Sequence, residues 1–127
     1  MKRPRRNTEE HQTQVRLLGI LTYAMRPELR VIAIPNQGKR SIITGRAMKA
    51  EGLTAGVADL LFMFPADEGS VGWLEMKAKK GSMKDTQHGF HAICDRLGHR
   101  WAMARSVHEA LVVLRGWNAL RPNVVIE

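Results

Sequence analysis

The chain has 127 residues, with 20 Lys+Arg against 12 Asp+Glu, a formal charge of +8. One domain with its own core fits this length, and 44% hydrophobic with 25% charged residues excludes wholesale disorder. The single cysteine, Cys94, excludes an intramolecular disulfide framework and a Cys-rich zinc module. No apolar run approaches the roughly 18 residues of a membrane span. The start, Met1-Lys2-Arg3-Pro4-Arg5-Arg6 followed by polar residues, does not read as a secretory leader. The expectation is a soluble, basic, cytoplasmic domain whose partner is a polyanion, because Lys and Arg displace counterions condensed on phosphates. Charge alone does not separate binding, cutting and packaging, and a domain that is only incidentally basic fits it as well.

Residues 1–6 read as a basic flexible arm, either gripping phosphate or solubilising the chain. A helix is expected from Asn7 or Thr8, with Glu9 and Glu10 in the first turn where the dipole favours negative charge. Val15, Leu18, Leu21 and Met25 give it an apolar stripe, and Pro27 closes it. Val31–Ile34 reads as a short strand ended by Pro35-Asn36-Gln37-Gly38. Lys39–Gly52 is basic and weakly helical in its second half. Asp59–Phe64 reads as a buried strand, and the turn formers of Pro65–Ser70 predict a hairpin to a second strand, Val71–Lys77.

Asp85–Leu97 follows as a helix with Phe90, Ile93, Cys94 and Leu97 inside, then a strand at Trp101–Ala104. Ser106-Val107-His108-Glu109 is a capping-box pattern opening a last helix. The fold class expected is α/β, a mixed central sheet flanked by helices, with residues 7–118 as one domain and 119–127 as a tail.

In Gly72-Trp73-Leu74-Glu75-Met76-Lys77 the strand period puts Glu75 and Lys77 on one face and Leu74 and Met76 on the other. Glu-x-Lys alone is equally an edge salt bridge. The hairpin, however, returns Glu75 to the vicinity of Asp59. Two carboxylates placed together repel unless a cation neutralises them, and hard oxygen donors suit Mg²⁺ or Mn²⁺. Asp59 read by itself could simply accept backbone hydrogen bonds at a loop end.

Gly56-Val57-Ala58-Asp59, then Glu75-Met76-Lys77, then Gln87 resembles the PD-(D/E)XK nuclease superfamily. More narrowly it is similar to the VRR-NUC branch, in its small stand-alone phage and bacterial form. Glu10-His11-Gln12-Thr13-Gln14, Ile34-Pro35-Asn36-Gln37-Gly38, Lys49-Ala50-Glu51-Gly52 and Ala104-Arg105-Ser106-Val107-His108-Glu109-Ala110 also fit. The likeness runs from about Glu10 to Trp117. Ala58 departs from it, standing where the branch usually has proline.

The resemblance implies a restriction-endonuclease-like core and a metal-dependent endonuclease acting on DNA, branched or duplex, as a homodimer. It implies that Asp59, Glu75 and the backbone carbonyl of Met76 ligate Mg²⁺, with Mn²⁺ as substitute. It also implies that Lys77 orients the attacking water and stabilises developing charge, and that Gln87 helps fix either. Glu10 becomes an outer ligand or organiser of the site; its other reading is a partner of the helix dipole. Lys39, Arg40, Arg46, Lys49, Lys79, Lys80 and Lys84 are expected to contact phosphates, positioning nucleic acid without reading sequence. The alternatives are a non-catalytic DNA-binding module on the same fold and a nuclease acting on RNA.

Other motifs carry less. Gly38-Lys39-Arg40-Ser41 lacks the glycine and the Ser/Thr spacing of a P-loop. The five histidines form no His-Glu-x-x-His, and His88 and His91 read as helix-surface residues. Trp101 and Trp117 read as packing, and Trp73 as a possible flank of the site.

Overall fold

The computed structural model describes residues 8–35 and 50–127. Helix α1 spans Thr8–Ala24, strand β1 Arg30–Ala33, β2 Leu60–Met63, β3 Gly72–Met76, helix α2 Asp85–Leu97, β4 Arg100–Ala104 and α3 Val107–Gly116, with a 3-10 turn at Ala66–Glu68 between β2 and β3. The sheet order is β1-β2-β3-β4. The first two pairings are antiparallel and β3–β4 is parallel, with α2 as its crossover. The chain is thus an α/β fold with a four-stranded mixed sheet, its described elements in the expected order. The weak helix expected in the second half of Lys39–Gly52 lies, up to residue 49, outside the described residues.

Alternation along β3 sorts the helices onto two layers. Leu74 and Met76 join Leu17 and Leu21 of α1 and Leu111 and Leu114 of α3 in the core. On the opposite face, Trp73 packs edge-on against Phe90 of α2, ring centroids 5.0 Å apart. Helices α1 and α3 therefore cover one side of the sheet and α2 the other. Phe62, wholly buried, meets Trp117 edge-on at 6.0 Å, and Trp101 stacks on His91 at 3.7 Å. The three tryptophans are packing residues; Trp73 belongs to the α2 interface. His91, half-buried under this stack, is less exposed than expected, whereas His88 is exposed.

The inner face of α1 differs from the expected stripe. Leu17, Leu21 and Ala24 are buried, whereas Val15 is 55% exposed. Continued backwards at the same alternation of three and four, that face runs through Gln14 and Glu10, both half-buried. Its N-terminal end is polar because it leaves the core and reaches the end of β3. On α2, Cys94 is buried, but Ile93 and Leu97 are 39% and 60% exposed, so the expected apolar face is narrower. The helix stops at Gly98, whose φ of 79° suits a residue without a Cβ.

The capping pattern at α3 holds with one change. Ser106 Oγ accepts from Glu109 N at 3.0 Å, while the Glu109 carboxylate accepts from Arg105 N rather than Ser106 N. Residues 119–127 do not leave the domain: Ala119 and Leu120 are buried, and Val124 and Ile126 pack on the core. Arg121 N donates to Ala24 O, and Arg26 N to Ala119 O, which ties this segment beside the end of α1. Arg26 completes the corner with a bidentate pair to Glu68 at 2.6 and 2.7 Å and a bond to Asn118 O. That pair holds the Glu68 carboxyl below its usual range, so its contribution is kept at neutral pH and lost in acid.

Candidate active site

Strand register builds the site. Leu60 stands opposite Leu74 in the antiparallel β2–β3 pair, and one step further puts Asp59 opposite Glu75, on the same face of the sheet. Asp59 Oδ2 accepts from Met76 N at 2.7 Å, which fixes this carboxylate on the strand that carries its partner. Its carbonyl accepts from Ile34 N at 2.8 Å, so β1 steadies the same residue from the other side. Asp59 thus ends a loop by accepting a backbone hydrogen bond and also joins the carboxylate pair.

Glu75 is 3% exposed and Lys77 7% exposed, unusual for ionisable side chains on a sheet. Gln87, in the first turn of α2, donates from Nε2 to Glu75 Oε1 at 2.5 Å. Its Oε1 accepts from Lys84 N at 2.8 Å, so one amide closes the helix terminus and orients the carboxylate. Among the described residues Glu75 Oε2 is buried and accepts no hydrogen bond; in the protonated form it has the Asp59 carboxylate as hydrogen-bond partner. An oxygen in that condition is costly unless a proton or a cation meets it. Burial pushes the Glu75 carboxyl up to about 8, and the Asp59 carboxylate adds to the rise, while the Lys77 ammonium opposes it.

The sign of the consequence is fixed. An unfolded Glu75 ionises near 4.5, and the folded one near 8. The protonated fold keeps its full stability below the lower value and loses it as pH climbs toward the upper one. In EDTA, the Tm of the native protein falls by several degrees more between pH 5 and pH 8 than that of Glu75→Gln, as read by differential scanning calorimetry. Parallel pH profiles for the two proteins would reject this origin.

The end of β3 is held from three sides. Lys77 N donates to Ala104 O at 2.9 Å, extending the β4 pairing. Glu10 Oε1 accepts from Ala78 N at 3.2 Å, and the Glu9 carboxylate accepts from Lys79 N. Glu10 therefore holds the backbone just after Lys77. Arg105 reaches the same loop from the β4–α3 junction, a contact with no forerunner in the sequence reading. Beneath the site, Gly56 (φ 81°) lies so close to α2 that a Cβ there would stand 2.0 Å from Thr86 O.

The structure thus gathers Asp59, Glu75, Lys77, Gln87 and Glu10 around the end of one strand. Lys79, Lys80 and Lys84 are exposed beside it. Lys39, Arg40, Arg46 and Lys49, like the basic arm, lie outside the described residues. Among the described residues no three His, Cys, Asp or Glu side chains converge as a ready-made cation cage. Asp59 and Glu75 are a pair, which suits a cation that takes one or two carboxylates and keeps its waters. Among the described residues no helix is long and apolar enough to cross a membrane.

Fold and site define an α/β domain with a carboxylate pair and a lysine at the end of a central strand. Compared with protein-family models, curated proteins and solved structures, the chain matches none.

Proposed function

We propose that this protein is a metal-dependent endonuclease that hydrolyses DNA phosphodiester bonds, built on a PD-(D/E)XK core and similar to its VRR-NUC branch. The observation that carries the reading is Glu75: a buried carboxylate beside Asp59, one oxygen held by Gln87 and the other, among the described residues, accepting no hydrogen bond. Asp59 and Glu75 are the residues that would hold Mg²⁺ or Mn²⁺, with the Met76 carbonyl as a further donor. Such a cation polarises a phosphate oxygen and lowers the pKa of a bound water to make the nucleophile.

The chain's own residues divide the remaining work. Gln87 keeps Glu75 in one orientation, and Met76 N does the same for Asp59. Lys77, on the Glu75 face, orients the attacking water and offsets the negative charge that grows on phosphorus. Its ammonium also favours ionisation of Glu75, the form a cation requires. Lys79, Lys80 and Lys84 grip backbone phosphates as point charges, which leaves base sequence unread and makes substrate shape the selector. We further propose that the protein works as a homodimer, because one such site cuts one strand.

The test is cleavage of branched and linear duplex DNA by the purified protein in Mg²⁺, Mn²⁺ or EDTA. Cleavage in either metal that EDTA abolishes is expected, with branched DNA cut faster. Tight DNA binding without cleavage in any metal replaces this reading with a non-catalytic binding module, and faster cleavage of matched RNA moves the substrate class. Mg²⁺ is also expected to raise Tm more at pH 8 than at pH 5, because at low pH it competes with the Glu75 proton.

A further inference from the structure

We propose that Arg105 is a positioning residue for this site, whose guanidinium clamps the loop after Lys77 and so sets where Lys77, Lys79 and Lys80 meet a phosphate. The inference rests on the nuclease reading and adds to it a residue outside the carboxylate–lysine set.

Arg105 Nη1 lies 2.8 Å from Ala78 O, 2.5 Å from Gly81 O and 3.4 Å from Lys79 O. Three carbonyls of one short loop thus turn toward a single cation. The loop is itself a turn, with Gly81 N donating to Ala78 O at 3.0 Å. Its first two N–H groups point the other way, to the carboxylates of Glu10 and Glu9 on α1. The peptide unit between Ala78 and Lys79 is thereby held at both ends, its carbonyl by the guanidinium and its N–H by the Glu9 carboxylate.

The clamp also continues the pairing of β3 with β4. Lys77 N bonds Ala104 O, and the next residue on each strand extends the contact by way of the Arg105 side chain to Ala78 O. A guanidinium suits the task, since it stays charged and carries its donors in a rigid fork. Of the loop only Ala78 is buried, while Lys79 and Lys80 are exposed. Ala78 stands outside the main apolar cluster, so most of the loop's surface faces solvent with the lysines it displays.

The experiment compares native protein with Arg105→Gln in three measurements: kcat for DNA cleavage, Kd for the same DNA in EDTA, and amide hydrogen exchange. Expected are a kcat lower by about 10- to 100-fold, the range for a small misplacement of a reacting group, and a weaker Kd, because Lys79 and Lys80 lose their fixed placement. Exchange at Ala78–Gly81 is expected to accelerate at least tenfold, with the amides of α3 unchanged. An unchanged kcat overturns the proposal. So does a kcat loss with faster exchange throughout α3, which marks a merely structural arginine. If the native protein does not cleave, the nuclease reading fails by itself. Exchange then decides the clamp: acceleration confined to the loop supports it, and no acceleration overturns it.

Discussion

Lys77→Ala is expected to lower kcat for the proposed DNA cleavage by about 10³-fold while Kd for DNA, measured in EDTA, stays within about threefold. Removing one group that stabilises developing charge typically costs about 10²–10³ in rate, and a thousandfold loss corresponds to about 4 kcal/mol. The upper end applies because Lys77 has a second effect. Its ammonium holds the Glu75 carboxyl lower than burial and Asp59 would leave it. Without it, Glu75 takes its proton more tightly, and the pH at which a cation is bound moves upward. The variant's cleavage optimum, in a pH series at fixed Mg²⁺, is therefore more alkaline than native, and higher Mg²⁺ restores part of the rate. Lys77→Arg keeps the charge and loses the compact ammonium, so its optimum stays near native while kcat remains low. Unchanged cleavage by Lys77→Ala sinks the site assignment; a loss with no movement of the optimum removes the link to Glu75.

The carboxylate–lysine set was legible in the sequence because it depends on two local rules. Strand alternation puts Glu75 and Lys77 on one face, and the turn chemistry of Pro65–Ser70 returns that face to Asp59. The observed register satisfies both. Gln87 was placed through the resemblance, and its position at the third residue of α2 gives it two partners at once. The inner face of α1 was misread for a physical reason. Leu18, Leu21 and Met25 do reach the core, but bulky Val15 suggests it too and faces outward, while the buried line contains small Ala24 and is continued by polar Gln14 and Glu10. A carboxylate that caps a strand end is indistinguishable in the sequence from one that faces water.

Arg105 and Gly56 stand in segments that carry the resemblance, but their contacts were illegible for another reason. Arg105 recognises backbone carbonyls, which every residue has, so no side-chain pattern marks its target. The approach of Gly56 to Thr86 joins segments 30 residues apart, and depends on how α2 settles against the loop before β2. Both features lie one contact away from the carboxylate–lysine set. Placing them takes the assembled fold, whereas the placement of Asp59, Glu75 and Lys77 follows from strand and hairpin rules alone.

Gly56→Ala is expected to be the most destabilising single methyl this domain can receive near the site. The added Cβ would stand 2.0 Å from Thr86 O, 2.2 Å from Thr86 C and 2.7 Å from Gln87 N, all backbone atoms in the first turn of α2. A flexible side chain could swing aside; a helix terminus has to move as a body. The φ of 81° adds the ordinary left-handed penalty of about 1–2 kcal/mol for alanine. With overpacking, which costs about 1–3 kcal/mol, the total is about 3 kcal/mol or more. In a domain of this size that is a fall in Tm of about 10 °C. Gly52→Ala supplies the control, because Gly52 has a similar φ of 92° but no atom of the described residues within 4 Å of its would-be Cβ. It bears the conformational cost alone, so the difference in Tm between the two variants isolates the contact with α2. Displacing that turn also shifts Gln87 from Glu75, so Gly56→Ala loses kcat even at temperatures where circular dichroism reports it folded, and Gly52→Ala keeps native kcat. Equal losses of Tm and of rate in both would show that the loop before β2 does not set the position of α2.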